Sequence, residues 1–314
     1  MRVLVTGGFG YLGGRISKYL VSQNNYQIIL GSRQKTGIPT WLPRVEVVRL
    51  QWDLPGNLHN ICSGVDAVVH TAGMNAQDCA EDPTGAFEVN AIATGRLVDA
   101  AINSGVKRFI YFSTAHVYCS PLAGVLTEET CPVSLHPYAT SHRAAEDLLR
   151  AAHQSGGIEG VVIRLSNAFG APAHKDAKCW MLLVNDLCRQ AVTNQKLVLH
   201  TPGLQRRDFI PLTDVCRAIK HLLHLSEKEL GRGVFNIGGM WSPTIWEMAC
   251  LIQNRCKVVL GFEPDIVRPS PQSGEVTNEF DYRVDMLTKT GFQLDSDRAE
   301  EIDELLKFCE AEFA

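Results

Sequence analysis

The sequence predicts an α/β fold, in which helices cover both faces of a doubly wound parallel sheet and a smaller mixed α/β domain follows. Short apolar runs alternate with longer amphipathic stretches through the first half of the chain. Strands and helices alternate in this way around a parallel sheet that is buried on both faces. A glycine-rich turn joins the first apolar run to the first amphipathic stretch, and prolines and glycines interrupt the alternation after about Asn167.

Length and composition agree with a globular chain of one large or two ordinary domains. The 314 residues are 45% hydrophobic and 20% charged, so the chain can bury a sizeable core and is not disordered as a whole. Its 30 basic and 34 acidic residues leave a net charge of −4, which predicts no nucleic-acid partner and no anionic membrane surface. No apolar run approaches the roughly 18 residues that a membrane span needs.

The ten cysteines are scattered singly, with no CxxC pair and no Cys/His cluster at zinc-ligand spacing. We therefore expect no metal site. The first residues run directly into a strand-like segment, so we expect no signal peptide. Unpaired cysteines without a leader predict a cytoplasmic protein.

The predicted elements follow the apolar pattern. Strands are predicted at Arg2–Thr6, Gln27–Ser32, Val45–Leu50, Ala67–Thr71, Arg108–Ser113 and Val161–Leu165. The main helices are predicted at Tyr11–Gln23, Thr84–Ser104, Pro137–His153 and Arg298–Phe308. We assign residues 1–166 to a dinucleotide-binding domain, to which parts of 204–238 return. Residues 167–203 and 239–314 are assigned to a substrate-binding domain.

The turn at residues 6–13, Thr-Gly-Gly-Phe-Gly-Tyr-Leu-Gly, contains both GxxGxxG and GxGxxG. Glycines at these spacings allow a tight bend, close approach of a pyrophosphate and helix–strand packing. The following helix N-terminus adds free N–H groups and the positive end of its dipole. The sequence therefore predicts a Rossmann-like dinucleotide site, with cofactor contacts from Gly7, Phe9, Gly10, Tyr11, Leu12 and Gly13.

Further motifs follow the glycine loop in a fixed order. They are Asp53-Leu54, His70-Thr71-Ala72-Gly73, Asn90, Phe112–Tyr118 (FSTAHVY), Pro137–His142 (PYATSH), Arg164–Gly170 (RLSNAFG), Arg207–Ile210 (RDFI) and Phe235–Gly239 (FNIGG). With TGGFGYLG, the set resembles the extended short-chain dehydrogenase/reductase family, and within it the nucleotide-sugar epimerases, dehydratases and reductases. The resemblance spans nearly the whole chain. It implies a nicotinamide cofactor and a nucleoside-diphosphate sugar as substrate.

The resemblance also implies the cofactor contacts beyond the glycine loop. It places the adenine beside Asp53 and Leu54, and it assigns further cofactor contacts to Thr71, Ala72, Gly73 and Asn90.

The end of the second predicted strand bears on the choice of nicotinamide cofactor. An acidic residue there binds the ribose hydroxyls of NAD, whereas an arginine suits the 2′-phosphate of NADP. This chain has Ser32-Arg33 at that point and no acidic residue until Glu46. A guanidinium and a hydroxyl supply donors for a phosphate. We therefore predict NADP, with NAD as the alternative.

Tyr138 stands at the position of the family's catalytic tyrosine, which moves the hydroxyl proton during hydride transfer. Four residues on, where the family has lysine, this chain has His142, and this spacing keeps both residues on one helical face. Histidine, with an ordinary pKa of about 6.5, gives a tyrosine less electrostatic help than lysine. Three interpretations stay open: His142 is protonated by its surroundings, it is neutral and the oxidised cofactor activates Tyr138, or the site binds without turnover.

Two further residues complete the predicted catalytic group. Thr114 matches the family's hydroxyl that orients the reacting oxygen. His116 stands where the family's 4,6-dehydratases have a glutamate base and where GDP-fucose synthase has an acid/base cysteine. We therefore expect either proton transfer beside a keto group by His116 or a merely packed histidine. His174 is a second candidate for an acid or base.

On the substrate side, Arg207 and Arg268 match in context the family's arginines that clamp a nucleoside diphosphate, and Asn167 adds a donor nearby. The alternative is that the arginines form ion pairs with Asp208 or Glu275. The resemblance further implies a homodimer, paired through the helices at 84–104 and 137–153.

The sequence therefore predicts an NADP-dependent nucleotide-sugar ketoreductase or epimerase/reductase. Two alternatives remain at this point: a C4 epimerase with tightly bound NAD, and a non-catalytic sensor of NADP or a nucleotide sugar.

Overall fold

The computed structural model describes residues 1–34, 37–272, 274–275 and 277–314. Its strands are β1 (Arg2–Thr6), β2 (Gln27–Ser32), β3 (Glu46–Arg49), β4 (Ala67–His70), β5 (Arg108–Thr114), β6 (Gly124–Leu126), β7 (Glu159–Leu165), β8 (Asn167–Phe169), β9 (Lys196–Val198), β10 (Phe209–Pro211), β11 (Val234–Ile237), β12 (Asp265–Val267) and β13 (Phe280–Tyr282).

The helices of the first half are α1 (Tyr11–Ser22), α2 (Pro55–Cys62), α3 (Ala76–Glu81), α4 (Pro83–Ala86), α5 (Ala93–Asn103) and α6 (Pro137–Gln154). Those of the second half are α7 (Leu183–Asn194), α8 (Leu212–His224), α9 (Glu227–Leu230), α10 (Ile245–Val259), α11 (Asp285–Lys289) and α12 (Arg298–Phe313). A π-helical segment covers Phe87–Ile92, and a 3₁₀ turn covers Ala115–Val117.

Seven strands form one parallel sheet in the order β11-β7-β5-β4-β1-β2-β3. The strand order reverses beside β1, which makes the sheet doubly wound and places a switch point there. All six strands predicted from the apolar runs lie in this sheet, so the predicted fold class is confirmed. The seventh, β11, was not predicted, because its short apolar run is interrupted by Asn236 and lies between Gly233 and the glycines that end the FNIGG motif.

Both faces of the sheet are buried, which explains why its strands are apolar without alternation. On one face, Val3 and Val5 of β1 pack with Ile16 of α1 and with residues of α8. On the other face, Leu4 packs with residues of α2, α5 and α6, including Leu149. Successive residues of β1 thus enter two separate cores, and the loops at its carboxyl end are held from both sides.

A third core lies beside the sheet and is built mainly by α7, α10 and α12. The start of α10 is fixed by a capping box, in which Thr244 and Glu247 each bond the other's backbone N–H. Three short parallel pairs, β8 with β10, β9 with β12 and β6 with β13, lie outside the large sheet. Through the last pair, Phe280 and Tyr282 pack against the segment that follows β5.

The helix predicted over Thr84–Ser104 is interrupted, because the π-helical segment Phe87–Ile92 separates α4 from α5. A π turn contains one residue more than an α turn, and such turns are frequent at functional sites. Asn90 lies in this segment and is buried.

Within the described residues, no helix combines the length and apolar character that crossing a membrane requires. The same residues contain no group of three or more His, Cys, Asp or Glu side chains arranged to hold a metal ion. All ten cysteines are free.

Candidate active site

The glycine loop between β1 and α1 has a conformation that side chains would block. Gly7 has a φ of +67°, in the left-handed region that favours glycine. The N–H of Gly10 donates to the Gly7 carbonyl at 2.7 Å, and a Cβ at Gly13 would lie 2.3 Å from that oxygen. The first turn of α1 has no side-chain cap and no acidic residue, so its free N–H groups can receive an anion. These residues fit a dinucleotide pyrophosphate.

The segment at 170–175 packs against this loop. The Tyr11 hydroxyl donates to the Gly170 carbonyl at 3.1 Å, which ties the first turn of α1 to this segment. His174 Nε2 lies 2.9 Å from the Phe9 carbonyl oxygen, and its ring stacks on Trp41 at a centroid distance of 5.2 Å. These contacts give His174 a structural role beside the glycine loop, and its service as an acid or base stays a prediction.

The turn after β4 is anchored on both sides. The Thr71 hydroxyl donates to the Thr6 carbonyl at 2.7 Å, which ties the turn to β1. Asn90 Oδ1 accepts from the Met74 N–H at 2.8 Å, and its Nδ2 donates to the Ser141 hydroxyl at 3.0 Å. Asn90 thus joins this turn to α6. A direct contact between Asn90 and a cofactor stays a prediction.

The residues predicted to face the adenine lie on the surface. Asp53 forms an ion pair with Arg96 at 2.7 Å, with 90% of the aspartate side chain exposed, and Leu54 is 50% exposed. These exposures leave both side chains open to a ligand.

The end of β2 carries the residues predicted to choose between NADP and NAD. Ser32 is partly exposed, and its hydroxyl accepts from the Gln34 N–H at 3.2 Å. Arg33 is exposed. Arg49, which the sequence analysis did not single out, is in register with Ser32 on β3. Because registered residues of parallel strands share a face, Arg49 is a second cation beside this strand end.

Tyr138 and His142 lie on one face of α6, one turn apart. Their rings meet edge to face with centroids 4.6 Å apart. Burial lowers the pKa of His142 to about 4, so the imidazole is neutral at pH 7. Its Nδ1 lies 2.6 Å from the hydroxyl of Tyr111, a residue of β5 that the sequence analysis did not single out. Of the three interpretations, burial disfavours the protonated His142, and the neutral imidazole stays the prediction that the protein's own surroundings support.

Thr114 ends β5 beside the Tyr138 phenol. Burial raises the pKa of Tyr138, and hydrogen bonding with Thr114 opposes this rise. The Thr114 oxygen also accepts from the His116 N–H at 3.2 Å. One hydroxyl therefore contacts both the tyrosine and the turn that carries His116.

His116 is exposed, although neighbouring protein groups partly desolvate its imidazole. Its surroundings lower its pKa, first by desolvation and then through the positive charges of Arg207 and His136. The predicted substrate arginine Arg207 is therefore close enough to His116 to act on its pKa. A neutral imidazole at this position can accept a proton.

A buried ion pair supports this edge of the sheet. Glu146, one turn beyond His142 on α6, pairs with Arg164 of β7 at 2.7 Å, and both side chains are at most 5% exposed. The Ser113 hydroxyl donates to Glu146 at 2.5 Å, and Arg164 also donates to the Tyr118 hydroxyl at 3.0 Å. The network fixes the end of β5 against α6. This network was not predictable from the sequence, because Glu146 lies outside the recognised motifs.

Arg207 and Arg268 are bound to neutral groups. The Arg207 guanidinium donates to Gln205 Oε1 at 3.1 Å, and desolvation lowers its pKa. Arg268 donates to the Pro202 carbonyl at 2.6 Å and lies over the Trp246 ring at 3.5 Å from its centroid. Within the described ranges, the side-chain partners of the two guanidinium groups are Gln205, the Pro202 carbonyl and the Trp246 ring, none of which is a carboxylate, so both arginines can bind an anionic ligand.

The expected alternative, ion pairs of these arginines with Asp208 or Glu275, is therefore wrong. Asp208 is buried, where it accepts from the Ser166 hydroxyl at 2.5 Å and from backbone N–H groups at Gly239 and Trp241. Glu275 accepts from a backbone N–H.

Asn167 begins β8 beside the RDFI segment. Its Nδ2 donates to the Asp208 carbonyl at 2.9 Å. The side chain is partly exposed, so its oxygen and its second N–H remain for a ligand.

Comparison with known proteins shows the family and the fold. Residues 3–238 match the NAD dependent epimerase/dehydratase family. The chain is 28% identical over 308 residues to the dTDP-glucose 4,6-dehydratase of Streptomyces niveus, and the alignment covers 93% of this chain and 88% of that protein.

Solved structures share the fold over the full chain. The UDP-glucuronic acid 4-epimerase of Bacillus cereus, in complex with UDP-glucuronic acid and NAD, superposes with a TM-score of 0.80 at 20% identity, covering 99% of both chains. The UDP-glucose 4-epimerase of Thermus thermophilus, in complex with NAD, gives a TM-score of 0.80 at 22% identity, covering 99% of this chain and 100% of that one. At these identities the likeness is one of fold.

Proposed function

Since the chain belongs to the NAD dependent epimerase/dehydratase family, we propose that it is an enzyme that oxidises or reduces a ring carbon of a nucleoside-diphosphate sugar. The observation that carries this proposal is the grouping of Tyr138, Thr114 and His142 at the carboxyl edge of the sheet, next to a turn tied to the glycine loop strand. A bound nicotinamide cofactor supplies or accepts the hydride.

Each side chain of this group has a task set by its contacts. The Tyr138 phenol moves the proton of the reacting sugar hydroxyl, and Thr114 holds the phenol and the sugar oxygen in line. His142 is neutral, so it orients ribose by hydrogen bonding and does not lower the pKa of Tyr138 by charge.

Recognition of the nucleoside diphosphate falls to the arginines. Arg207 and Arg268, which lack carboxylate partners in the part of the chain that the structure describes, supply two guanidinium groups for its phosphates. Asn167 adds a neutral donor. The relatives and neighbours named above carry UDP or dTDP in their names, which supports a pyrimidine nucleotide.

Ketoreduction, alone or with epimerisation through His116, is the activity we place first. The 4,6-dehydratase reaction is disfavoured, because Ala115-His116 replaces the Asp-Glu pair of those enzymes. A C4 epimerase that keeps its cofactor bound is the second candidate, and the two 4-epimerases among the structural neighbours favour it. The cofactor we propose is NADP, because of Ser32-Arg33, with NAD as the alternative that the same neighbours support.

We further propose a cytoplasmic homodimer. Exposed apolar side chains at Phe87, Ile92 and Leu148 lie on the two helical segments expected to pair subunits, and burying them against a second copy is favourable. The ten free cysteines agree with a reducing compartment.

The test begins with the purified protein. Its nicotinamide content is measured after denaturation, and then UDP-glucose, UDP-glucuronic acid, dTDP-glucose and their 4-keto forms are incubated with NADPH, NADH or no added cofactor. Proton NMR follows the sugar, and absorbance follows the nicotinamide. A reductase should consume the added NADPH. A C4 epimerase should form the epimeric sugar without a net change in the nicotinamide cofactor. Binding without conversion of any sugar contradicts the enzymatic proposal and favours the sensor.

A further inference from the structure

Tyr111 and His142 form a buried pair whose role the known motifs do not assign. The Tyr111 hydroxyl lies 2.6 Å from His142 Nδ1. The two side chains are 1% and 6% exposed, so water does not replace their contact. The pair connects the middle of β5 to the face of α6 that carries Tyr138.

The protonation of this pair follows from its surroundings. Burial lowers the pKa of His142 and raises that of Tyr111, so imidazole and phenol are both neutral at pH 7. A neutral imidazole has one N–H and one bare nitrogen. Since Nδ1 is the nitrogen beside the Tyr111 oxygen, the remaining question is whether Nδ1 or Nε2 carries the proton.

Hydrogen-bond satisfaction decides this choice. Within the described residues, His142 Nδ1 is the partner recorded for the Tyr111 hydroxyl. If Nδ1 carried the proton, it would donate to Tyr111 and leave the buried phenolic hydrogen without an acceptor, which is unfavourable. With the phenol as donor, Nδ1 is bare and Nε2 carries the proton.

The protonated nitrogen then faces the loop expected to border the cofactor. A Cβ at Gly73 would lie 3.8 Å from His142 Cε1 and 4.0 Å from Nε2, so the Cε1–Nε2 edge of the ring is turned toward the turn after β4. That turn lies beside the end of β1, where the glycine loop begins, because the Thr71 hydroxyl donates to the Thr6 carbonyl.

We propose that Tyr111 is a positioning residue, which holds His142 as the neutral Nε2–H tautomer so that it donates to a hydroxyl of the nicotinamide ribose in place of a lysine ammonium. This inference rests on the proposed function for the identity of its ligand.

Neighbouring groups keep Tyr111 in place. Its ring stacks on His70 at a centroid distance of 5.7 Å. Both nitrogens of His70 are engaged, Nδ1 with Thr6 at 2.5 Å and Nε2 with Thr94 at 2.9 Å. His70 therefore stacks on Tyr111 without competing for its hydroxyl. The titratable groups around the Tyr111–His142 pair are His70 from the sheet, Tyr138 and Glu146 from α6, and Cys79 from α3.

The test is nitrogen-15 NMR of histidine-labelled protein without ligand, with the His142 signals assigned by their loss in His142→Asn. We expect a bare Nδ1 and a protonated Nε2 at pH 7. In Tyr111→Phe, the ring stays while the donor is lost, so the Nδ1 signal should move toward that of a free nitrogen. The pKa of His142 should rise, because the lost bond favoured the neutral form. The Kd for NADPH should increase roughly threefold.

Tyr26→Phe is the matched control, because it removes another tyrosine hydroxyl bonded to a histidine, His224, at 2.7 Å. It should leave the His142 signals and the cofactor Kd unchanged. The proposal is overturned if wild-type His142 carries its proton on Nδ1, or if Tyr111→Phe leaves the His142 signals unchanged. If Tyr111→Phe does not fold, the wild-type spectrum alone still tests the proposal, because a proton on Nδ1 would overturn it. The spectrum is recorded without any sugar. Absence of turnover would therefore reject the proposed function and leave the tautomer of His142 to be decided by NMR.

Discussion

The rings of Tyr138 and His142 meet edge to face, 4.6 Å apart on one face of α6. Burial keeps the histidine neutral at pH 7. The tyrosine therefore has no permanent cation at the position where the family has lysine, and its pKa is raised by its own burial. This relationship predicts how the enzyme responds to pH and to substitution.

His142→Lys should move the pH profile of sugar oxidation to lower pH. Oxidation requires Tyr138 to accept a proton, and a cation within about 4–6 Å lowers the pKa of an acid by about 1–3 units. We expect the rising limb of kcat against pH to shift by about one unit or more. His142→Asn, which adds no charge, should keep the wild-type midpoint. A profile in His142→Lys that overlays the wild-type profile would contradict the account.

Folding stability should fall at mildly acid pH because of His142. Its folded pKa of about 4 lies below its usual value of about 6.5. Between these values the unfolded chain binds a proton that the folded chain does not, so the stabilising effect is complete above pH 6.5 and is lost as the pH falls toward 4. Urea midpoints at pH 7.5 and 5.0 should differ more in wild type than in His142→Asn. Equal differences would show that His142 is not buried as described.

Arg33→Ala should reduce the preference for NADPH over NADH by at least half in free-energy terms. Arg33 is exposed at the end of β2, where a 2′-phosphate is expected. Nicotinamide fluorescence gives both Kd values. Arg150→Ala, on α6 and paired with Asp147, removes the same charge elsewhere and should change nothing. If the wild-type protein binds NADPH and NADH with equal affinity, the proposal that its cofactor is NADP is wrong.

His116→Ala should separate epimerisation from simple hydride transfer. The histidine lies close to Arg207, and its pKa is lowered, so it can take a proton from carbon beside a keto group. In D₂O, NMR should show deuterium entering the sugar ring with the wild-type enzyme. His116→Ala should show no such uptake, while its hydride transfer continues. If the wild-type enzyme incorporates no deuterium into any accepted sugar, His116 does not transfer a proton on carbon and has only a packing role.

The fold was predictable because the sheet is buried on both faces. Its strands are continuous apolar runs, and the boundaries of β1 and β2 agree with the prediction to the residue. The π-helical segment around Asn90 was not predictable, because it changes the turn by one residue without changing the apolar pattern.

The site could be located but not completed from the sequence. Tyr138 and His142 were found as a pair because the motif and its four-residue spacing are local. Tyr111 and Glu146 were missed because their importance depends on contacts across the sheet, with His142 and with Arg164. The protonation of His142 also depends on burial, which a single sequence does not give.

Tyr138→Phe tests the central claim most directly. The substitution removes only the phenolic oxygen that moves the sugar proton, and the ring still packs against His142. An accepted nucleotide sugar is mixed with enzyme and nicotinamide cofactor, and hydride transfer is followed by nicotinamide absorbance in a single turnover. We predict a change in wild type and, in Tyr138→Phe, a rate reduced by at least about 100-fold with the cofactor Kd unchanged. A variant that transfers hydride at the wild-type rate would contradict the placement of the active site.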